Sequence, residues 1–194
     1  QYGHVVLEIG PGETGKGIMF GSKVVGGNVP KDFIPAVEKG VRNAALGGVV
    51  AGFPVVDVAV LLTDGSSHSV DSSGMAFEIA GSMGFRQGVR DARPTLLEPV
   101  LKIRILAPDD CAGEVMGDLN TRRARIGGME PKGNGLTEIL AEAPASMMQR
   151  YAADLRSLTQ ARGDFTAVID HYEPVPPQEA RNVIASRQSG EEEE

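Results

Sequence analysis

The sequence predicts an α+β protein of two regions, and three observations carry that expectation. Apolar residues alternate with period two in some short runs and recur every four residues in others, so strands and helices are interleaved. Prolines and glycines punctuate these runs, and Pro94 separates an earlier set from a later one. The later set has the order β-α-β-β-α-β, the ferredoxin-like split pattern of two βαβ halves. A chain of 194 residues with 41% hydrophobic content has room for one large domain or two small ones, each with a packed core.

The first strand places Val5, Leu7 and Ile9 on one face, opposite His4, Val6 and Glu8. A glycine-rich turn from Gly10 to Gly17 leads to a second strand over residues 18–25, and the two read as a hairpin. Pro35 opens a helix whose Val37, Val41 and Ala45 share a stripe, and Gly47-Gly48 stops it. A strand follows with Val56, Val58, Val60 and Leu62 on one face and Asp57 on the other. Asp64-Gly65 marks a turn, and Asp71-Ser72-Ser73 starts a helix with Met75, Ile79 and Met83 as its expected core stripe. In the second region residues 99–107 read as strand. Pro108-Asp109-Asp110 caps a helix carrying Cys111, Val115 and Leu119. Residues 126–130 and 136–143 are strands joined by Gly133-Asn134-Gly135. Ser146 and Gln149 match a capping box before a stripe of Met148, Tyr151, Leu155 and Leu158. Residues 165–172 form the last strand. After Pro174-Val175-Pro176-Pro177, residues 178–186 are expected as a short helix, and residues 187–194 as a disordered acidic tail.

The net charge is −7, and the terminal Glu191–Glu194 run supplies four of those negative charges, leaving −3 for the rest. A mildly acidic body does not surround itself with the positive field of a general nucleic-acid binder, so RNA contact must come from local patches. No apolar run is long enough to span a membrane, and no basic-then-apolar signal segment opens the sequence. One cysteine, Cys111, excludes an internal disulfide and fits a reducing cytosol. Three scattered histidines with that cysteine offer no metal-ligand spacing. Gln1, rather than Met, leads straight into strand-like sequence, which suggests part of a longer protein.

Gly10-Pro11-Gly12-Glu13-Thr14-Gly15-Lys16 follows a strand and matches the start of a phosphate-binding loop. Such a loop needs a hydroxyl after the lysine and a helix to aim its amides. Here Gly17 takes the hydroxyl's place and Ile18-Met19-Phe20-Gly21 reads as strand, so a plain connecting loop is expected, without nucleotide binding.

The stretch from Asp64 to Ser73 gathers hydroxyls, His68 and carboxylates at one exposed end. Here the sequence resembles elongation factor G. The matching segments in the first region are Gln1-Tyr2-Gly3-His4-Val5, Val25-Gly26-Gly27 through Pro30, Ile34-Pro35-Ala36-Val37-Glu38-Lys39-Gly40 and Ala51-Gly52-Phe53-Pro54-Val55-Val56-Asp57-Val58. They continue with His68 through Ser73, Met75-Ala76-Phe77, Ala80-Gly81-Ser82-Met83 and Leu97-Glu98-Pro99. In the second region they are Gly117-Asp118-Leu119-Asn120, Tyr151, Asp154-Leu155-Arg156-Ser157-Leu158-Thr159-Gln160 and His171-Tyr172-Glu173.

The resemblance implies a domain IV-like module over residues 1–97, similar to ribosomal protein S5 domain 2 and containing a left-handed crossover. It implies a ferredoxin-like domain V over residues 98–173, and a C-terminal helix over 174–186 packing on the first. It also implies a ribosome-engaging part that promotes translocation of tRNA and mRNA from a tip at the decoding centre. The implied contacts are Ser66, Ser67, His68, Ser69, Asp71, Ser72 and Ser73 in one tip loop, and Gly26, Gly27, Asn28 and Val29 in the other. Histidine and serine suit phosphate and 2′-hydroxyl groups. Implied partners are 16S and 23S rRNA, stalk-base proteins and the N-terminal GTPase domains of the parent, in the cytoplasm. GTP and magnesium belong to those domains, and no cofactor or enzymatic step is expected here. Gly74 stands where the family usually has Glu or Asp, and the family's glycine- and arginine-containing segment before Gln1, which would supply an edge strand, is not among these residues.

The alternatives are a ribosome-binding module of a non-translocating paralogue, for recycling or regulation, and a general single-stranded RNA binder. The latter lacks stacking platforms, with nine Phe and Tyr and no Trp. A hydrolase triad from His68, Asp71 and Ser66 or Ser72 would need groups converging from separate elements. His4 and His171 read as structural histidines. Arg122, Arg123 and Arg125 follow a helix end, where they suit either the helix dipole or rRNA phosphates. Arg156 reads as a salt bridge or cap within the fold, and Met75, Met83, Met147 and Met148 as core filler.

Overall fold

The computed structural model describes the backbone of residues 1–191 and the side chains through Arg187. It divides into two units, Thr95–Pro176 forming the second. In the first unit, β1 (His4–Pro11), β2 (Ile18–Ser22) and β3 (Val58–Ser66) make one sheet, with α1 (Ile34–Gly47) and α2 (Gly74–Asp91) packed on it. The order is β1-β3-β2. The expected β1–β2 hairpin is therefore wrong. β3 takes the middle, pairing antiparallel to β1 (Leu7 opposite Leu62) and parallel to β2 (Phe20 opposite Val60). Parallel pairing requires a crossover, and α1 supplies it. Asp57 sits before the strand at φ 57° and fixes this arrangement. Its carboxylate accepts from the amides of Gly15 (2.9 Å) and Gly17 (3.2 Å), and its carbonyl from Gly12 (2.8 Å). The loop that resembled a phosphate cradle thus has amides committed to a carboxylate of the same unit, and a strand follows it.

α1 carries Pro35 in its first turn and buries Val37, Val41 and Ala45 as expected. α2 departs from expectation. Met75, Ile79 and Met83 are 65%, 52% and 67% exposed, while Phe77, Gly81, Phe85 and Val89 face inward. That buried stripe also has four-residue spacing, but one member is glycine, which a hydropathy pattern does not count. Close helix approach requires such small residues. A Cβ added to Gly40 on α1 would stand 2.0 Å from the Glu78 carbonyl oxygen on α2.

The second unit holds β4 (Leu97–Pro108), α3 (Ala112–Thr121), β5 (Arg125–Gly133), β6 (Leu136–Pro144), α4 (Tyr151–Leu158) and β7 (Asp164–Pro174). The strand order β5-β6-β4-β7, antiparallel throughout, is ferredoxin-like. Ile103, Ile105, Val115, Leu119, Ile139, Tyr151 and Leu155 form the core. The capping predictions fail here. Asp109 accepts from the Thr137 hydroxyl (2.6 Å) and Asp110 from Arg162 (3.1 Å), so neither caps α3. Ser146 lies in a 3-10 turn and donates to Glu98 (3.2 Å), and α4 begins beyond Gln149, after Arg150 at φ 68°. The final helix, α5 (Pro177–Glu191), groups with the first unit and runs past the expected end at Ser186 into the expected tail. The Arg187 guanidinium stands 4.9 Å above the Phe53 ring. Residues 192–194 of the expected tail lie outside the described residues. No helix among the described residues is long and apolar enough to cross a membrane.

The Tyr151 hydroxyl is fully buried without a hydrogen-bond partner among the described residues, a condition that costs about 1–3 kcal/mol. Tyr151→Phe should raise the denaturation midpoint, and a lowered midpoint would show that the hydroxyl is satisfied in solution. At the open end of β7, His171 bridges Glu173 and Asp170 (2.8 Å each), and Glu173 also binds Arg125 (2.6 Å). The Glu173 and Asp170 bonds raise the His171 pKa above its ordinary 6.5. The Arg125 and His171 bonds hold Glu173 at about 2, below its ordinary 4.5. A raised histidine pKa stabilises fully below 6.5 and loses that contribution as pH climbs through its folded value. A lowered carboxyl pKa stabilises above 4.5 and loses its contribution as pH falls toward 2. Melting temperature should therefore decline above pH 6.5 more steeply in the wild type than in His171→Gln, and parallel alkaline limbs would refute the coupling.

Candidate functional site

β3 ends at Ser66 and α2 begins at Gly74, leaving residues 67–73 as a loop that projects from the sheet. Ser73 caps α2 by accepting from the Ala76 amide at 3.1 Å, so the loop ends on a fixed helix. No acidic residue stands in the first turn of α2, where Gly74 sits. The Ser72 hydroxyl accepts from the His68 amide (2.9 Å) and donates to the Tyr2 carbonyl (2.8 Å). The Tyr2 amide donates to the Asp71 carbonyl at 2.8 Å. At the other side of the loop the Ser66 hydroxyl lies 2.6 Å from the Tyr2 hydroxyl and 3.1 Å from His4 Nδ1.

The His68 side chain is 57% exposed, with Nδ1 2.9 Å from Asp71 Oδ2. The amides of Val70 and Asp71 also lie 3.4 Å from Nδ1. One nitrogen cannot both donate to the carboxylate and accept from amides. The carboxylate contact is short while the amide contacts stand at the outer limit, so Nδ1 is assigned as the donor to Asp71. Nε2 is then left as an acceptor in neutral imidazole and a donor in the protonated ring.

The other loop approaches the same strand end. Gly26 and Gly27 both adopt φ +76°. The Asn28 side chain donates to Asp64 (3.0 Å), and the Gly65 amide donates to the same oxygen (2.8 Å). The Asn28 bond, then the Gly65 bond, hold the Asp64 carboxyl below the usual carboxylate range. Gly65 is required here because a Cβ would stand 2.4 Å from the His4 carbonyl oxygen. Val29 is 2% exposed and packs with Val37, Leu62 and Phe77, so its side chain anchors the loop in the core instead of facing solvent.

The structure thus joins both expected loops at the end of β3. Ser67, His68, Ser69, Asp71, Gly26, Gly27 and Asn28 are exposed, while Ser66, Ser72 and Ser73 are half-buried and bonded within the unit. The Ser66 and Ser72 hydroxyls pair with Tyr2, His4 and backbone groups, not with the His68 ring, so the triad arrangement does not form. Sequence reasoning gave no role to Tyr2, or to Val25 and Val70, which are 81% and 83% exposed at the two loops, and it read Asp64-Gly65 as a turn where both residues pair within β3. Tyr2 carried only a segment match, and nothing in its spacing ties it to residues 66–72.

The arginines of the second unit are held separately. Arg122 binds Asp118 (2.7 Å), Asp154 (2.7 Å) and the Met147 carbonyl (3.0 Å), and lies 5.0 Å above the Tyr151 ring. Arg123 binds Glu98 (2.6 Å), and Arg125 binds Glu173 (2.6 Å) and Glu142 (3.1 Å). The Asp118 bond leads in raising the Arg122 pKa, and the Glu173 bond leads for Arg125. Arg156 is exposed, and among the described residues its side chain shows none of the pairing expected for it. Met148 is buried, whereas Met75 and Met83 are not core filler.

Residues 1–93 match the family model described as elongation factor G, domain IV, and residues 95–183 match elongation factor G C-terminus. The chain is 50% identical to "Elongation factor G" of Aquifex pyrophilus over 98% of its own length and 27% of that protein's. It superposes on a crystal structure of a Thermus thermophilus protein with a TM-score of 0.84 at 39% identity, covering 97% of this chain and 28% of the other. The succession of an α+β unit and a ferredoxin-like unit is thus shared with a solved relative over nearly the whole chain. The chain belongs to the elongation factor G family and spans its domain IV and C-terminal regions, about a quarter of the length of such relatives. The two family matches together take up residues 1–93 and 95–183 of its 194.

Asp71→Ala should remove the acceptor that selects Nδ1–H at His68. Nitrogen chemical shifts of the imidazole should then move toward the Nε2–H tautomer, and unchanged shifts would refute the assigned pairing.

Proposed function

We propose that this chain is the ribosome-engaging part of an elongation factor G-type protein and that its first unit presents an RNA-contacting tip. The observation that carries the reading is His68. It stands exposed just beyond the end of the central strand, with Nδ1 bound to Asp71 and no hydrogen bond to Nε2 among the described residues. A ring held in this way can donate to phosphate or ribose oxygen when protonated and accept from a 2′-hydroxyl when neutral.

The direct contacts are assigned to Ser67, His68 and Ser69, with Gly26, Gly27 and Asn28 beside them. The tip would contact and wedge between tRNA and mRNA at the decoding centre, and the serine hydroxyls committed to Tyr2, His4 and backbone groups speak against bond-breaking. The second unit would engage 23S rRNA and stalk-base proteins. Its Arg122, Arg123 and Arg125 serve mainly to hold the unit together, since each is committed to carboxylates of the same unit. GTP and magnesium would act in the N-terminal domains of the parent, in the cytoplasm.

The test is a chimera in which this chain replaces the corresponding part of a full-length relative. His68→Ala should slow tRNA–mRNA translocation by on the order of tenfold, the value of one lost charge-assisted hydrogen bond. An unchanged rate refutes the histidine assignment. A chimera that binds ribosomes without translocating would identify a non-translocating paralogue.

A further inference from the structure

We propose that Tyr2 and Ser72 are positioning residues that hold the His68 loop in its outward-facing form, an inference that rests on reading the loop as an RNA-contacting tip. Three separate groups of Tyr2 reach the loop. Its amide donates to the Asp71 carbonyl (2.8 Å), its carbonyl accepts from the Ser72 hydroxyl (2.8 Å), and its own hydroxyl lies 2.6 Å from Ser66 Oγ. These partners stand on both sides of the exposed apex, residues 67–70. Tyr2 therefore spans the base of the loop.

Ser72 transmits the hold to His68. Its hydroxyl donates to Tyr2 and accepts from the His68 amide at 2.9 Å. A hydroxyl used in both directions is not free to read RNA without releasing the loop, which separates Ser72 from the contacting residues Ser67 and Ser69. His4 Nδ1, 3.1 Å from Ser66 Oγ, adds a second tie at the strand side. The apex contributes no side chain to the core, so these bonds set its conformation. Each exposed hydrogen bond is weak alone. Sharing one loop, they reduce the ordering that RNA binding would otherwise demand.

Thr and Val are nearly isosteric, and only Thr keeps the hydroxyl. In the 194-residue chain, amide hydrogen exchange at His68 should be about tenfold faster in Ser72→Val than in Ser72→Thr, with the β3 amides unchanged in both. In the chimera, Ser72→Val should slow translocation and Ser72→Thr should restore it. Equal exchange at His68 in the two variants overturns the proposal, as does a translocation defect shared by both. If Ser72→Val fails to fold, Tyr2→Phe carries the test. It removes only the hydroxyl at Ser66 and should speed exchange at Ser67 and His68, and an unchanged loop refutes the clasp. If His68→Ala leaves translocation intact while the exchange difference persists, the clasp stands and the RNA reading falls.

Discussion

The first unit depends on β3 being paired along both edges. Its Val60 and Leu62 are buried, and an apolar strand with two free edges would leave two rows of backbone groups unpaired. β1 covers one edge and β2 the other, in opposite senses, and the rest follows from that. The parallel β2–β3 pairing forces the crossover through α1, α1 then meets α2 over the sheet, and the loop at the end of β3 is left projecting. Asp57 secures the start of the strand by tying the β1–β2 connection to it, and Ser66, held by Tyr2 and His4, secures the end.

Charge pairing holds the second unit. Its charged side chains are mostly matched with one another. Glu138 is 5% exposed and sits between Lys132 (2.8 Å) and Arg104, whose bonds, Lys132's first, keep its carboxyl ionised. Glu98, 8% exposed, takes Arg123 and Ser146. Removing one member of such a pair strands a nearly buried charge, which costs far more than the pair itself contributes. Internal pairing of this kind leaves little uncompensated charge on the unit. On the proposed reading, contact by this unit would rely on shape and a few exposed groups such as Arg156 rather than on a broad basic surface.

Sequence patterns revealed the second unit well because its strands and helices obey simple periods and its core is made of large apolar residues. The stripe of Val115 and Leu119 and the pair Tyr151 and Leu155 emerged as expected. They failed where glycine or partner choice decided. The inward face of α2 contains Gly81, so the methionine stripe looked better and was wrong. The β1–β2 hairpin was the shortest connection available, yet strand pairing is a tertiary choice that no local pattern encodes. The caps at Asp109, Asp110 and Ser146 matched their motif, but nearer side-chain partners claimed them. For the site, residue chemistry exposed the His68 loop and left Tyr2 invisible, because its role is a contact across 64 positions.

On the proposed reading, the loop after β3 combines two requirements that usually oppose each other. A surface that touches RNA must be exposed, and exposed loops are usually mobile. Burying the apex would fix it but remove it from reach. Here the two demands are split between residues. Val29, Leu62 and Phe77 anchor the base by burial, while Ser72, Ser66 and Tyr2 brace the apex through hydrogen bonds that keep polar groups near water. Asp71 then orients the one ring that extends outward. The serines of this loop are therefore not equivalent. Those at its ends are structural, and those beside His68 are free to meet a ligand, a division that the run of similar residues conceals.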